Sequence, residues 1–346
     1  MSLSKSTRFA VENYMLDKIG QEEPDMVRKT MDAFSVSSNT VYRYLRNLLE
    51  SGSIEKEKNG VYKLRSQTKV FVLQRDLNEL DDEQRIYEKY VYSEFIADLP
   101  ENVRRIWDFS FTEMMNNAID HSMAKEVTCL VSKNRVYTTI LISDNGIGIF
   151  KNIKDYLGLD SIEDAIGELF KGRVTTDSAN HSGEGIFFTS RYVDDFAVVS
   201  DGKMFTHNRY DEIVSGLGEI KGFENMDGSK GTLVFMKQSN ASNKDVAEIV
   251  RRFEDEETSE FSKTSIPVKE FFDTYPISRS QAKRLCARLN VFSEIELDFK
   301  GVSSMGQGFA DEVFRVFQNK NPEIKIIASN MPEDVERMYK HVVNRK

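Results

Sequence analysis

The chain has 346 residues, a formal net charge of −9, 40% hydrophobic and 30% charged residues, a composition that supports proper cores in two or three domains and does not suggest disorder. No apolar run approaches the ~20 residues of a membrane span, and the opening MSLSKSTRFAVENYML has neither an h-region nor a small-residue cleavage site, so a cytoplasmic protein without a membrane partner is expected. Charge is uneven: residues 1–65 carry 11 basic and 9 acidic side chains, 66–240 sum to −10 and 241–346 to −1, so any nucleic-acid contact is sought in the first segment. Cys129 and Cys286 lie far apart in apolar runs without close Cys or His neighbours, the pattern of buried core thiols rather than a metal site or redox pair.

Residues 6–20, 25–34 and 35–52 read as three helices, the last with a Ser/Asn start signal and Gly52 near its end. SIEKEKNGVYKL follows, two short alternating strands around Asn59-Gly60, a strong hairpin signal. Three helices and a hairpin within residues 1–66 resemble the winged helix-turn-helix family. The resemblance implies DNA as partner, with Ser38, Asn39, Thr40, Tyr42, Arg43 and Arg46 facing it and Lys56 and Lys58 on the wing. A protein–protein or dimerisation module has the same shape.

A charged bridge, 74–109, is expected to lead into the helix FTEMMNNAIDH, 111–121, on which Glu113, Asn117, Asp120 and His121 fall on one stripe. Two strand-like runs, EVTCLVSKN and VYTTILISD, come next, and the second stops at Asp144-Asn145-Gly146-Ile147-Gly148. A carboxylate at a buried strand end can accept the exocyclic amine of adenine, and the glycines let backbone approach a nucleotide. Segment 151–182, containing Lys171, Arg173, Thr175, Thr176 and Ser178, is expected to form a long mobile lid over a triphosphate. Gly183-Glu184-Gly185 then opens an apolar helix, where free N–H groups suit phosphate oxygens, and Gly231-Thr232 begins another strand. A Walker A sequence is absent.

This order of motifs, over about residues 85–237, resembles the Bergerat-fold (GHKL, histidine-kinase-like) ATP-binding family of gyrase, the heat-shock chaperone, histidine kinases and MutL. The resemblance implies an α/β sandwich over 67–240, with a mixed sheet, helices on one face, and ATP and Mg2+ as cofactors. It assigns Glu113 to orienting or deprotonating a nucleophile, Asn117 to Mg2+ through its amide oxygen, and Asp144 to adenine. Asp120, Gly146, Gly148, Lys171, Gly183, Gly185 and Thr232 are expected to line or support the same pocket. The four histidines, 121, 181, 207 and 341, include none in a phosphoacceptor helix, which argues against an ordinary sensor kinase.

Residues 241–263 read as a charged connecting helix, and 264–346 alternate strand and helix, a small parallel or mixed sheet covered by helices. EIELDFKGVSSMGQGFADEVFRVF resembles the STAS domains of anti-sigma-factor antagonists, and more closely the STAS-like domains of unknown function found beside Bergerat ATPases. Gly306 and Gln307 stand where those antagonists carry their phosphorylated serine, which leaves Ser303 and Ser304 as displaced acceptors or simple caps. Arg279, Lys283, Arg284 and Arg288 form a basic helical stripe, either solvated or facing the acidic middle of the chain.

The reading is therefore a multi-domain α/β regulator of transcription, a slow Mg2+-dependent ATPase whose nucleotide state controls DNA binding and a STAS-like module. Two alternatives use the same residues: an anti-sigma-type Ser/Thr kinase acting on a STAS-like partner, and a nucleotide sensor that does not hydrolyse. A homodimer is expected by family analogy only.

Overall fold

The computed structural model describes residues 5–58, 60–174, 183–209, 211, 213–214, 217, 231–272 and 274–344. Three helices, α1 (Lys5–Gly20), α2 (Met26–Phe34) and α3 (Ser38–Glu50), precede an antiparallel hairpin of β1 (Ile54–Lys56) and β2 (Tyr62–Leu64). Ser37 caps α3, its hydroxyl accepting the Thr40 N–H at 3.4 Å. Apolar residues of α1 and α3, among them Val11, Met15, Val41, Leu45 and Leu48, close a core of their own. This unit leans on the turn between the fourth and fifth strands: Val136 packs on its core, and the Tyr137 hydroxyl donates to Asp17 at 3.3 Å.

Among the described residues the central sheet has six strands in the order β3-β4-β5-β8-β6-β7, namely β3 (Gln67–Gln74), β4 (Glu126–Lys133), β5 (Tyr137–Asp144), β6 (Asp195–Ser200), β7 (Lys203–Thr206) and β8 (Thr232–Ser239). It is antiparallel at every described pairing, where a mixed sheet was expected. The β4–β5 and β6–β7 pairs reverse through short turns, and β8 enters between β5 and β6 running against both. The edge strand β3, absent from the sequence reading, turns Phe71 and Leu73 inward and leaves Val70 and Val72 exposed.

The charged bridge proves to be core. It folds into α4 (Glu83–Tyr87), a π-helical run Glu88–Ile96 and the start of α5 (Glu101–Asn116), and buries Ile86, Tyr87, Val91, Phe95, Ile106 and Trp107. Its charges occupy one face of helices whose other face is apolar, and a count of charge along the chain conceals that division. The expected lid is corrected likewise. Most of it is α6 (Ile149–Leu157) and α7 (Ile162–Lys171), which bury Phe150, Ile153, Ala165, Leu169 and Phe170; Thr175, Thr176 and Ser178 lie outside the described residues. Helix α8 (Gly185–Tyr192) packs against α5.

In the expected connecting helix only α9 (Val246–Arg251) is helical, and a bridge pairs Glu254 with Phe261. Then come β9 (Lys263–Pro267), α10 (Val268–Phe271), α11 (Arg279–Cys286), β10 (Glu294–Asp298), α12 (Gln307–Asp311) with its π-helical continuation Glu312–Phe317, β11 (Lys325–Ser329) and α13 (Glu333–Val343). The three strands are parallel in the order β11-β10-β9, as βαβ crossovers require. One contiguous apolar cluster runs from Phe71 to Val342, so the central and C-terminal units share a core. Cys129 is buried within it and Cys286 is half-buried, and both are free thiols.

Candidate functional site

Strand β5 ends inside the protein. Asp144, its last residue, is buried; its Oδ1 accepts the Gly146 N–H at 2.8 Å, and the Thr232 backbone and hydroxyl also bond it. Burial raises the carboxyl to about 6, against the opposing pull of the Gly146 and Thr232 donors. Among the described residues no cation shares in holding this charge, so the group is poised to change protonation near neutral pH.

A cleft of 210 Å3 opens beside Asp144. Its floor is set by sheet register: Ile142 pairs with Val234, and Val234 with Val198, so three adjacent strands place an apolar row across the base. Asp144, two residues after Ile142, and Thr232, two residues before Val234, lie at the same end of their antiparallel strands and on the same face. The Thr232 hydroxyl accepts the Ile149 N–H at 3.0 Å and so ties the start of α6 to the strand end. Gly148, with φ of +83°, makes the sharp entry into α6; a Cβ there would stand 2.9 Å from both Ser200 Oγ and Asp201 Oδ2.

Glu113, from α5, and Asn117, the first residue of its π-helical continuation, come to the cleft one helical turn apart, followed by His121. Asp120 is exposed and does not line it. The chain changes from α- to π-helix over Asn117–His121, and the wider turn brings His121 rather than Asp120 beneath Asn117. The opposite wall is Val174, Gly183, Gly185 and Ile186, where the Val174 N–H donates to the Gly183 carbonyl at 3.1 Å. Gly185 meets Glu113 directly: a Cβ there would lie 2.1 Å from Glu113 Oε2. The carboxylate of α5 therefore sits against the glycine that opens α8.

Of the residues singled out from sequence, the structure brings together Glu113, Asn117, Asp144, Gly148, Gly183, Gly185 and Thr232 around this cleft. Gly146 stands beside it as the donor to Asp144. Lys171 does not join them. Its amine is buried at the end of α7, donating to Glu168 at 2.7 Å and to the Arg284 and Ala287 carbonyls at 3.0 and 2.8 Å. The α7 register turns Lys171 toward the last turn of α11, away from the cleft. Burial lowers its pKa and the Glu168 carboxylate opposes that shift. His121, on the polar stripe read from sequence, lines the cleft, as do Ser122 and Asn152, which were not assigned to the site from sequence. The spacing of His121 eight residues after Glu113 was the available signal, whereas Ser122 and Asn152 carried none.

Among the described residues no three His, Cys, Asp or Glu side chains are grouped as a metal site. A cation there would share its ligands with a bound phosphate chain, as magnesium commonly does. The half-buried Asn117 amide faces the cleft and fits that role.

On the N-terminal unit, Asn39, Tyr42, Arg43 and Arg46 are exposed along α3, and Ser38 and Thr40 are half-buried at its start. Lys56 and Lys58 are exposed on the hairpin. On the C-terminal unit, two residues of the basic stripe meet carboxylates of α7: Arg284 contacts Asp164 at 2.5 Å and Arg288 contacts Glu168 at 3.2 Å.

A family model for a STAS-like domain of unknown function (DUF4325) matches residues 281–336, from α11 into the start of α13. No curated protein matches the chain. Among the described residues no helix is long and apolar enough to cross a membrane.

Proposed function

We propose that the chain is an ATP-binding regulator, a slow Mg2+-dependent ATPase of the Bergerat type whose nucleotide state bears on a DNA-binding N-terminal unit and the STAS-like C-terminal unit. The observation that carries this reading is the buried Asp144 carboxylate at the floor of an apolar cleft, held by the neutral Gly146 and Thr232 donors, with Glu113 and Asn117 on one helical face of the same cleft. Adenine lies over the Ile142–Val234–Val198 row and donates its exocyclic amine to Asp144. Phosphates extend toward the N-terminus of α8, where backbone N–H groups attract anions. The Asn117 oxygen would hold magnesium together with the phosphates, and the ion would supply charge neutralisation there. Glu113 orients a water molecule and takes its proton as the new P–O bond forms and the bond to ADP breaks.

Strand β5 gives this site a connection to the N-terminal unit. It starts at Tyr137, bonded to Asp17, and ends at Asp144, so one strand joins the adenine site to the base of the three-helix unit. The exposed face of α3, with Arg43 and Arg46, and the hairpin lysines suit phosphate and base-edge contacts.

A second reading is favoured by the STAS-like match: phosphoryl transfer to a protein hydroxyl in place of water. Ser303 and Ser304 are exposed in the loop before α12 of that unit. Incubation with radiolabelled ATP separates the readings. Free phosphate that disappears in Glu113→Ala supports the ATPase, label on protein supports the kinase, and neither product with retained binding leaves a sensor. ATP binding by Asp144→Asn as tight as wild type would overturn the adenine assignment.

A further inference from the structure

We propose that the STAS-like unit positions the phosphate-side wall of the cleft, and that adjacent residues of strand β9 are the point of attachment. The described wall consists of Val174, Gly183, Gly185 and Ile186, and its two sides are fixed to the same strand. On the entering side, the buried Thr264 hydroxyl donates to the Lys171 carbonyl at 2.7 Å. On the leaving side, the Arg191 guanidinium, at the end of α8, donates to the Ser265 carbonyl at 3.0 Å. Thr264 and Ser265 are neighbours, so a displacement of β9 acts on both sides of the wall at once.

Further contacts make the attachment stiff. Lys171 places its ammonium on the Arg284 and Ala287 carbonyls at the end of α11, where free carbonyls and the helix dipole favour a cation. Arg173 donates to the Val291 carbonyl at 3.3 Å and lies over the Phe261 and Phe292 rings. Arg191 lies 3.4 Å from the centroid of Phe187, a residue of α8, whose ring is 4.8 Å from that of Phe261. Strand β9 is hydrogen-bonded to β10, and β10 to β11. A ligand or protein that shifts this parallel sheet therefore changes the cleft wall without entering the cleft. By reciprocity, nucleotide on the wall changes the STAS-like unit. Lys171, Arg173, Thr264 and Arg191 are in this sense positioning residues.

The functional half of the inference rests on the nucleotide reading above; the mechanical half does not, and one experiment on the full chain separates them. Thr264→Val removes the donor to the Lys171 carbonyl at nearly constant volume, and Thr264→Ser restores it. Amide hydrogen exchange over residues 183–188, without ligand, is expected to rise about five-fold in Thr264→Val, the weight of one hydrogen bond, and to stay at the wild-type level in Thr264→Ser. Dissociation of a fluorescent ATP analogue is expected to quicken by about the same factor while its association rate holds. Arg284→Ala, at the partly exposed contact with Asp164, is a milder second variant with the same expected direction. Exchange over 183–188 within about two-fold of wild type in both Thr264→Val and Arg284→Ala would overturn the attachment. Raised exchange with unchanged nucleotide release would overturn its role in positioning. If wild type binds no nucleotide, the ATP reading and the positioning role fail together, while exchange still decides the attachment.

Discussion

The strand end at Asp144 and the junction between α7 and α11 both take ionisable groups out of water, and they treat them in opposite ways. Lys171 and Glu168 are buried together at 2.7 Å, with Arg288 and two helix-end carbonyls completing the set. Each charge there has a partner of opposite sign or a dipole directed at it. Among the described residues Asp144 has only N–H and O–H donors, and burial lifts its carboxyl to about 6. A paired buried charge costs most when one partner is removed, whereas a carboxylate held by neutral groups is itself the cost and has acceptor capacity left for a ligand. The first arrangement joins two units of the fold, and the second is the kind of group expected to work on something not yet present.

The largest test of this contrast is Lys171→Met, which leaves Glu168 buried with Arg288 as its remaining cation. A loss of about 3–5 kcal/mol in denaturant unfolding is expected, with part of it recovered in Lys171→Met/Glu168→Gln. A loss below 1 kcal/mol would mean that the pair is not the joint described here.

Asp144→Asn should go the other way with pH. Because the folded carboxyl is raised from 3.8 to about 6, the stability that Asp144 contributes is fully present below 3.8 and is lost as pH rises through about 6. The Asn variant lacks this titration, so relative to wild type it should gain up to about 3 kcal/mol between pH 4 and pH 8, measured as unfolding free energy across that range. In wild type, affinity for an ATP analogue should weaken as pH falls below about 6, where the acceptor becomes protonated. A flat stability difference would show that Asp144 is not held at this cost.

A smaller effect is expected at Ser37, where loss of the cap on α3 in Ser37→Ala should lower the stability of the N-terminal unit by about 1 kcal/mol. Melting of that unit with the cleft intact would confirm that its separate core is independent of the Asp144 region. Smallest for the fold are Arg43→Ala and Arg46→Ala, which remove exposed charges and should change stability by no more than about 0.5 kcal/mol. Each should nevertheless reduce the salt slope of DNA binding by about 1 if α3 faces the phosphates. Unchanged DNA affinity in the double variant would sink that mapping.

Much of the molecule was legible where local pattern decides it. The periodicity of FTEMMNNAIDH placed Glu113 and Asn117 on one face, and both line the cleft. The abrupt stop of VYTTILISD placed Asp144 at a strand end, and the alternation after residue 264 announced β9, β10 and β11 as three strands separated by helices. The same method misjudged Asp120, because a change from α- to π-helix within one turn leaves no mark in spacing. It took the bridge over 74–109 for a polar link, since the apolar face of its helices is diluted by charge on the other face.

By itself, then, the sequence determined the shared face of Glu113 and Asn117, the strand end at Asp144, the start signal of α3 and the hairpin, all of which depend on residues a few positions apart. Tertiary structure alone decided which row of the antiparallel sheet forms the cleft floor, why Gly185 must face Glu113, and that Lys171 belongs to the C-terminal joint. Those facts join Ile142 to Val198, Glu113 to Gly185 and Lys171 to Ala287. Register and packing between distant segments fix such pairs, and the periodicity of any single segment carries no trace of them.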